Sequence, residues 1–107
     1  MNRERLKGHL DLLLLAAVED KPAHGYAIAA ALRERSDGTF DLAEGTLYPA
    51  LHRLERGGHL RSSWADVAGR RRRVYAITAA GAKALAAQRK EWKQFAAGMN
   101  TVLGASV

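Results

Sequence analysis

Four consecutive arginines, Arg70 to Arg73, lie in a stretch from Glu44 to Tyr75 that also holds Arg53, Arg56 and Arg61 but only three acids, Glu44, Glu55 and Asp66. In the same stretch Leu47, Leu51 and Leu54 recur at helical spacing, so Thr46, Tyr48, Pro49, His52, Arg53 and Arg56 fall on the outer side of one helix. Hydroxyls, an imidazole and guanidinium groups on an exposed face are the chemistry of polyanion binding. Thr46 and Tyr48 can donate to phosphate oxygens, and His52 or Arg53 can reach base edges in a major groove about 12 Å wide. The arginine run suits a phosphate backbone or an adjacent minor groove, because the planar guanidinium binds phosphate bidentately and keeps its charge. For any single arginine a merely solvated face is the stronger competing reading. The four as a group favour the backbone.

Other chemistry has little support. The chain has no cysteine, which removes disulfides, thiolate metal sites, iron–sulfur clusters and cysteine nucleophiles together. His9, His52 and His59 lack carboxylate or thiol partners at metal spacing, so neither a metal site nor a cofactor is expected. His24 reads as a helix-start residue. Ser62 and Ser63 have no ordered His–acid pair beside them, and the chain does not read as an enzyme. The longest apolar run, Leu12 to Val18, is far short of the ~20 residues that cross a bilayer. The N-terminal residues lack the order of a signal peptide, so a cytoplasmic protein with no membrane partner is expected.

At 107 residues the chain is one domain, with a formal net charge of +6. Its hydrophobic fraction of 48% includes 21 alanines. An Ala-rich core adds little at ~25 cal/mol/Å² of buried apolar surface, which points to a partner subunit.

The elements that must position the basic residues follow from periodicity. A first helix is expected over Leu6–Glu19, with Leu6, Leu10, Leu13, Leu14 and Ala17 on one face. Leu12, Leu15 and Ala16 fall on other faces, so it needs cover from more than one side, the second being plausible as another subunit. Pro22 ends it. A second helix runs from about Gly25 to Arg35, with Ile28, Ala31 and Leu32 inward, closed by Ser36-Asp37-Gly38. Thr39–Leu42 alternates as a very short strand. The third helix spans about Gly45 to Arg56 and stops at Gly57-Gly58. Leu60–Trp64 and Arg73–Ile77 then alternate with period two around a charged turn, Ala68 to Arg72: a β-hairpin with an arginine-rich tip.

Thr78 caps a last helix that continues to about Val102. On it Leu85, Trp92 and Met99 recur every seven residues, with Phe95 and Val102 three beyond the latter two, a heptad-like seam interrupted by Gln88. Packing on its own domain competes with pairing, but little core remains to receive it. A homodimer interface is expected from Leu12, Leu15, Leu85, Trp92, Phe95, Met99 and Val102, with Trp92 near the two-fold axis.

Two short helices, a third amphipathic helix and a basic hairpin make a winged helix-turn-helix, mainly α with a small β-hairpin. Residues 1–78 form the DNA-binding part and 79–107 the dimerisation helix of one unit. The stretches His24-Gly25-Tyr26, Gly45-Thr46-Leu47-Tyr48-Pro49-Ala50-Leu51 with Leu54-Glu55, and Arg72-Arg73-Val74-Tyr75-Ala76-Ile77-Thr78-Ala79-Ala80-Gly81 resemble the PadR-type transcriptional regulators. The resemblance covers roughly residues 6 to 103, and the single helix after the wing resembles that family's shorter branch. It implies a cytoplasmic, dimeric DNA-binding repressor, often released by a small molecule. It adds Tyr26 to the DNA-binding residues, and it makes Trp92 and Phe95 candidate contacts for a planar apolar or aromatic effector, beside their reading as interface anchors. One departure is Ala43, where the family commonly has a hydroxyl residue as N-cap. Its loss costs ~1 kcal/mol unless Asp41 or water takes over.

The expected function is a sequence-specific transcriptional repressor on double-stranded DNA with a pseudo-palindromic operator. A dimeric winged-helix module that docks an acidic protein is the rival of another class, although the outer face of the third helix lacks the apolar patch a protein groove would want. A non-specific DNA binder is the third reading.

Overall fold

The computed structural model describes residues 3–104, and side chains from His9 onward. The ends of the expected 1–78 and 79–107 division, and the Leu6 side chain expected on the first helix's inner face, lie outside the described residues. The order is α1 (Arg3–Ala17), β1 (Ala23–His24), α2 (Gly25–Arg35), α3 (Glu44–Arg56), β2 (Leu60–Val67), β3 (Arg70–Ile77) and α4 (Ala79–Leu103). The three strands form one antiparallel sheet in the order β1-β3-β2. This is the winged-helix architecture expected from the sequence.

The core is a single cluster in which Leu10, Leu14, Leu15, Ile28, Leu32, Leu47, Leu51, Leu54, Leu60, Tyr75 and Leu85 are buried. The helix α1 is apolar most of the way round because α2, α3 and α4 all pack on it. The second cover expected from another subunit is therefore supplied within the chain. Leu15 and Leu85, expected at a subunit interface, are 0% and 1% exposed, and both are spent on the protomer's own core.

Three local expectations are corrected. Thr39–Leu42 is not a strand: it pairs with none of the three strands, and Leu42 is an inward anchor in a loop. The edge strand is instead Ala23–His24, which pairs with Tyr75 and Val74. The charged turn of the hairpin shrinks to Ala68-Gly69. Both have positive φ, 51° and 81°, as a two-residue hairpin turn requires. Arg70–Arg72 therefore belong to β3, in register with Val67, Asp66 and Ala65, rather than to a loop.

Helix ends follow their local chemistry. Ala43 occupies the N-cap of α3 and offers no side-chain acceptor, while Asp41 pairs with Arg33 at 3.5 Å instead of capping. Glu44 in the first turn complements the helix dipole. Beyond α3 the positive φ falls on Gly58, at 81°, not on Gly57. Thr78 caps α4: its Oγ1 accepts from the Gly81 N–H at 3.0 Å and donates to the Gly58 carbonyl at 2.6 Å. Among the described residues of α4 only Gly81 and Leu85 are buried. Trp92, Phe95, Met99, Val102 and Leu103 are 43–85% exposed along its outer half. No helix among the described residues is long and apolar enough to cross a membrane.

Candidate nucleic-acid interface

Helix α3 turns 100° per residue, and its buried residues Leu47, Ala50, Leu51 and Leu54 fix its inner face. Opposite them runs a stripe of Gly45, Pro49, His52 and Arg56, all exposed. The remaining candidates lie on its two flanks. Thr46 and Arg53 share the flank toward α1, where Arg53 donates to the Asp11 carboxylate at 2.5 Å. Tyr48 and Glu55 share the flank toward the sheet. Tyr48 is half-buried, its ring against the Cα of Gly25 at the start of α2.

The expected face thus divides. Pro49, His52 and Arg56 are presented outward, whereas Arg53 and Tyr48 are held by neighbours on either side. Pro49 is the sixth residue of α3 and lies inside the helix, so the missing N–H leaves the Gly45 carbonyl without its i+4 donor, on the exposed stripe where water can reach it.

The hairpin is joined to α3 by a short polar chain. Ser62 Oγ donates to Glu55 Oε2 at 2.5 Å, and Arg73 Nε donates to Ser62 Oγ at 2.8 Å. An Arg73 Nη2–Glu55 Oε2 separation of 3.8 Å completes the triangle. This link sets the angle between hairpin and helix.

Strand alternation then sorts the four arginines. Arg71 and Arg73 stand on the sheet face that also carries Leu60 and Tyr75 into the core. Arg70 and Arg72 stand on the other. Trp64, paired with Arg73 across the ladder, is 56% exposed, with the Arg73 and Arg71 guanidinium carbons 5.4 Å and 5.9 Å from its ring centroid. Nothing in the sequence alone assigned a binding or positioning role to Trp64, Ser62, Glu55 or Asp11. The signal available for Trp64 and Ser62 was their shared parity with Arg71 and Arg73 once the turn is placed at Ala68-Gly69.

On the opposite side of the sheet, Tyr26 is 68% exposed and stacks on His24, ring centroids 6.3 Å apart at 11°. Burial, and secondarily the Arg72 charge, push the His24 imidazole below its ordinary value near 6.5. A groove of about 590 Å³ runs here between α2 and the hairpin, with Tyr26, Ala27, Ala30, Val67 and Arg72 in its walls.

A second groove, of about 430 Å³, lies between α1 and α4 and is lined by His9, Asp11, Leu12, Gln88, Glu91, Trp92 and Phe95. The His9 and Trp92 rings meet edge to face at 5.1 Å, and Trp92 lies 5.8 Å from Phe95. Asp11 belongs to both neighbourhoods: it lines this groove and holds Arg53 of α3. At the far end of α1, Arg89 of α4 makes a two-pronged pair with Glu19, at 2.9 and 3.0 Å.

The sequence model described as "Transcriptional regulator PadR-like family" matches residues 14–87. A curated relative, "Transcriptional regulator Rv3488" of Mycobacterium tuberculosis, is 39% identical over 94 residues, 88% of this chain and 85% of that protein. A PadR family transcription regulator from Clostridium difficile R20291 superposes with a TM-score of 0.79 at 34% identity, covering 90% of this chain and 99% of that one. A transcriptional regulator from Clostridium thermocellum gives a TM-score of 0.83 at 28% identity, with 94% and 96% covered.

Proposed function

This chain belongs to the PadR-like family of transcriptional regulators, and from that premise we propose that it acts in the cytoplasm as a homodimeric repressor of its target operator, released by a small planar ligand. The observation that carries the DNA reading is the outward stripe of Pro49, His52 and Arg56 on α3, standing beside a hairpin strand of four arginines that Glu55 and Ser62 lock to the same helix. In this reading α3 enters a major groove, Thr46 and the flank residues meet the backbone, and Arg70–Arg73 follow the adjacent strand of DNA. Tyr26 at the start of α2 is a further backbone contact.

Residues 79–107 pair two subunits through Trp92, Phe95, Met99 and Val102, whose exposure in the single chain supports the assignment. Leu12, half-buried in the groove wall, borders that seam. A two-fold pair requires a pseudo-palindromic operator with half-sites about one helical turn, ~34 Å, apart. The α1–α4 groove is the effector site, with Trp92 and Phe95 as its aromatic wall. A ligand there that tightens the Asp11–Arg53 pair withholds Arg53 from DNA, so that effector and DNA oppose each other by a reciprocal coupling of ~1–3 kcal/mol.

The test is fluorescence anisotropy with DNA from upstream of the chain's own gene and with a scrambled duplex, at several salt concentrations. A preference of ~10³-fold or more for the native fragment is expected of a sequence-specific regulator. Equal affinity for both duplexes would leave a non-specific binder, and no binding at low salt would leave a protein-docking module.

A further inference from the structure

We propose that Trp64 is a DNA contact of the wing: its indole lies against the sugar–phosphate strand that passes between α3 and the hairpin, between two arginines that it holds in place. The inference rests on the DNA-binding reading above and adds to it a residue and a mode of contact.

The placement follows from the register. Ser62, Trp64 and Asp66 share one face of β2 and stand opposite Tyr75, Arg73 and Arg71 of β3. At the base of this face Tyr75 is buried, and Ser62 is bonded to Glu55 of α3. One pleat repeat further toward the turn, about 6.6 Å along the strand, α3 no longer covers the sheet. Trp64 is the residue at that step, and it is 56% exposed. Its ring therefore opens into the angle between hairpin and recognition helix, the place a backbone strand must occupy when the helix lies in one groove and the hairpin reaches the next.

The charges around it fit such a strand. Arg71 and Arg73 stand within cation–π distance of the ring, at 5.9 and 5.4 Å. An arginine laid on an aromatic face keeps its N–H groups free for a phosphate while losing much of its conformational freedom in advance. The two acids nearby are Glu55, which shares Arg73 at the base, and Asp66, which faces Arg71 across the ladder toward the turn. Glu55 pairs with Arg73, whereas among the described residues no ion pair within 4.0 Å engages Arg71, so its guanidinium stays available to a phosphate. Trp64 adds a flat apolar surface for a deoxyribose and one indole N–H donor.

The contact is to backbone and needs no particular sequence, so a short mixed-sequence duplex at low salt is a sufficient probe. The chain has two tryptophans, and Trp92→Phe leaves Trp64 as the one tryptophan; the unaltered chain is titrated beside it, so that any loss of binding from the altered seam is seen separately. Anisotropy of labelled DNA reports binding while acrylamide quenching reports access to the indole. Saturating DNA is expected to lower the quenching constant several-fold. Full anisotropy with unchanged quenching overturns the proposal and leaves the DNA-binding function standing. No anisotropy change with the unaltered chain overturns both. In the otherwise unaltered chain, Trp64→Ala is expected to bind the duplex about tenfold more weakly, the scale of losing one hydrogen bond to a charged group, with its thermal midpoint retained. Equal affinity at equal stability also overturns it.

Discussion

The ring of Tyr48 lies on the Cα of Gly25, so closely that a Cβ at position 25 would stand 2.6 Å from Tyr48 Oη and 2.7 Å from Cε1. The start of α2 and the flank of α3 are thereby fixed against each other with no side chain between them. The Gly of His24-Gly25-Tyr26 and the Tyr of Gly45-Thr46-Leu47-Tyr48 are two halves of one contact.

Gly25→Ala is accordingly expected to destabilise the fold by about 1–3 kcal/mol through overpacking. Tyr48→Phe removes the nearest clashing atom and should restore part of that loss in the double variant. Urea unfolding of the four members of the cycle checks this; strictly additive losses would separate the two residues.

A second glycine is more tightly enclosed. A Cβ on Gly81 would overlap the carbonyl oxygen of His59, which is backbone and cannot swing aside, and would press on Ile77. Gly81→Ala should therefore lower the unfolding midpoint further than Gly25→Ala does. The reverse order in the same assay would sink the argument.

The Asp11–Arg53 pair joins α1 to α3 at the surface, with side chains 40% and 52% exposed. Asp11→Asn is expected to change stability by less than about 1 kcal/mol, as exposed pairs do. It frees Arg53, so DNA affinity should rise and the dependence of log K on log salt should steepen by about 0.9 for the added phosphate contact. An unchanged slope would show that Arg53 does not reach DNA.

His24 supplies a dependence on pH. Burial first, and Arg72 second, depress its proton affinity in the folded chain below the ordinary value of 6.5. The unfolded chain therefore binds more protons in the window between the depressed value and 6.5, and stability rises with pH across that window and levels off above it. On acidification through the window the natural chain should lose stability that His24→Gln does not, as urea midpoints on either side will report.

The helices were legible because their apolar spacing is local. Gly25–Arg35 and the three leucines of α3 can be read from neighbours three and four residues away. The hairpin was recognised but its turn was misplaced, since a run of arginines has no alternation to reveal that Arg70–Arg72 continue a strand. The strand Ala23–His24 left no signal at all: two residues carry no period, and their partners Val74 and Tyr75 lie some fifty positions away. The same limit applies to Leu15, Leu85 and Trp92. All are apolar residues at suitable spacing, and only the packed chain shows that the first two are spent inside while the third remains at the surface. Asp11 could not be connected with Arg53 from the sequence, because an ion pair between two helices has no spacing rule.

No residue of α4 beyond Leu85 is buried in the protomer, and past the Arg89–Glu19 pair and the Trp92–His9 contact its order rests on helix propensity and on the end at Gly104, which takes a left-handed φ of 73°. Such a helix is long enough to persist but inexpensive to open from its tip. Backbone amides should exchange with solvent fastest near Leu103 and progressively more slowly toward Leu85. Covering the seam closes that gradient. If the proposed pairing provides that cover, a subunit without its partner offers proteases an unwinding end, and the lifetime of the protein, like its proposed grip on DNA, would rise with its concentration.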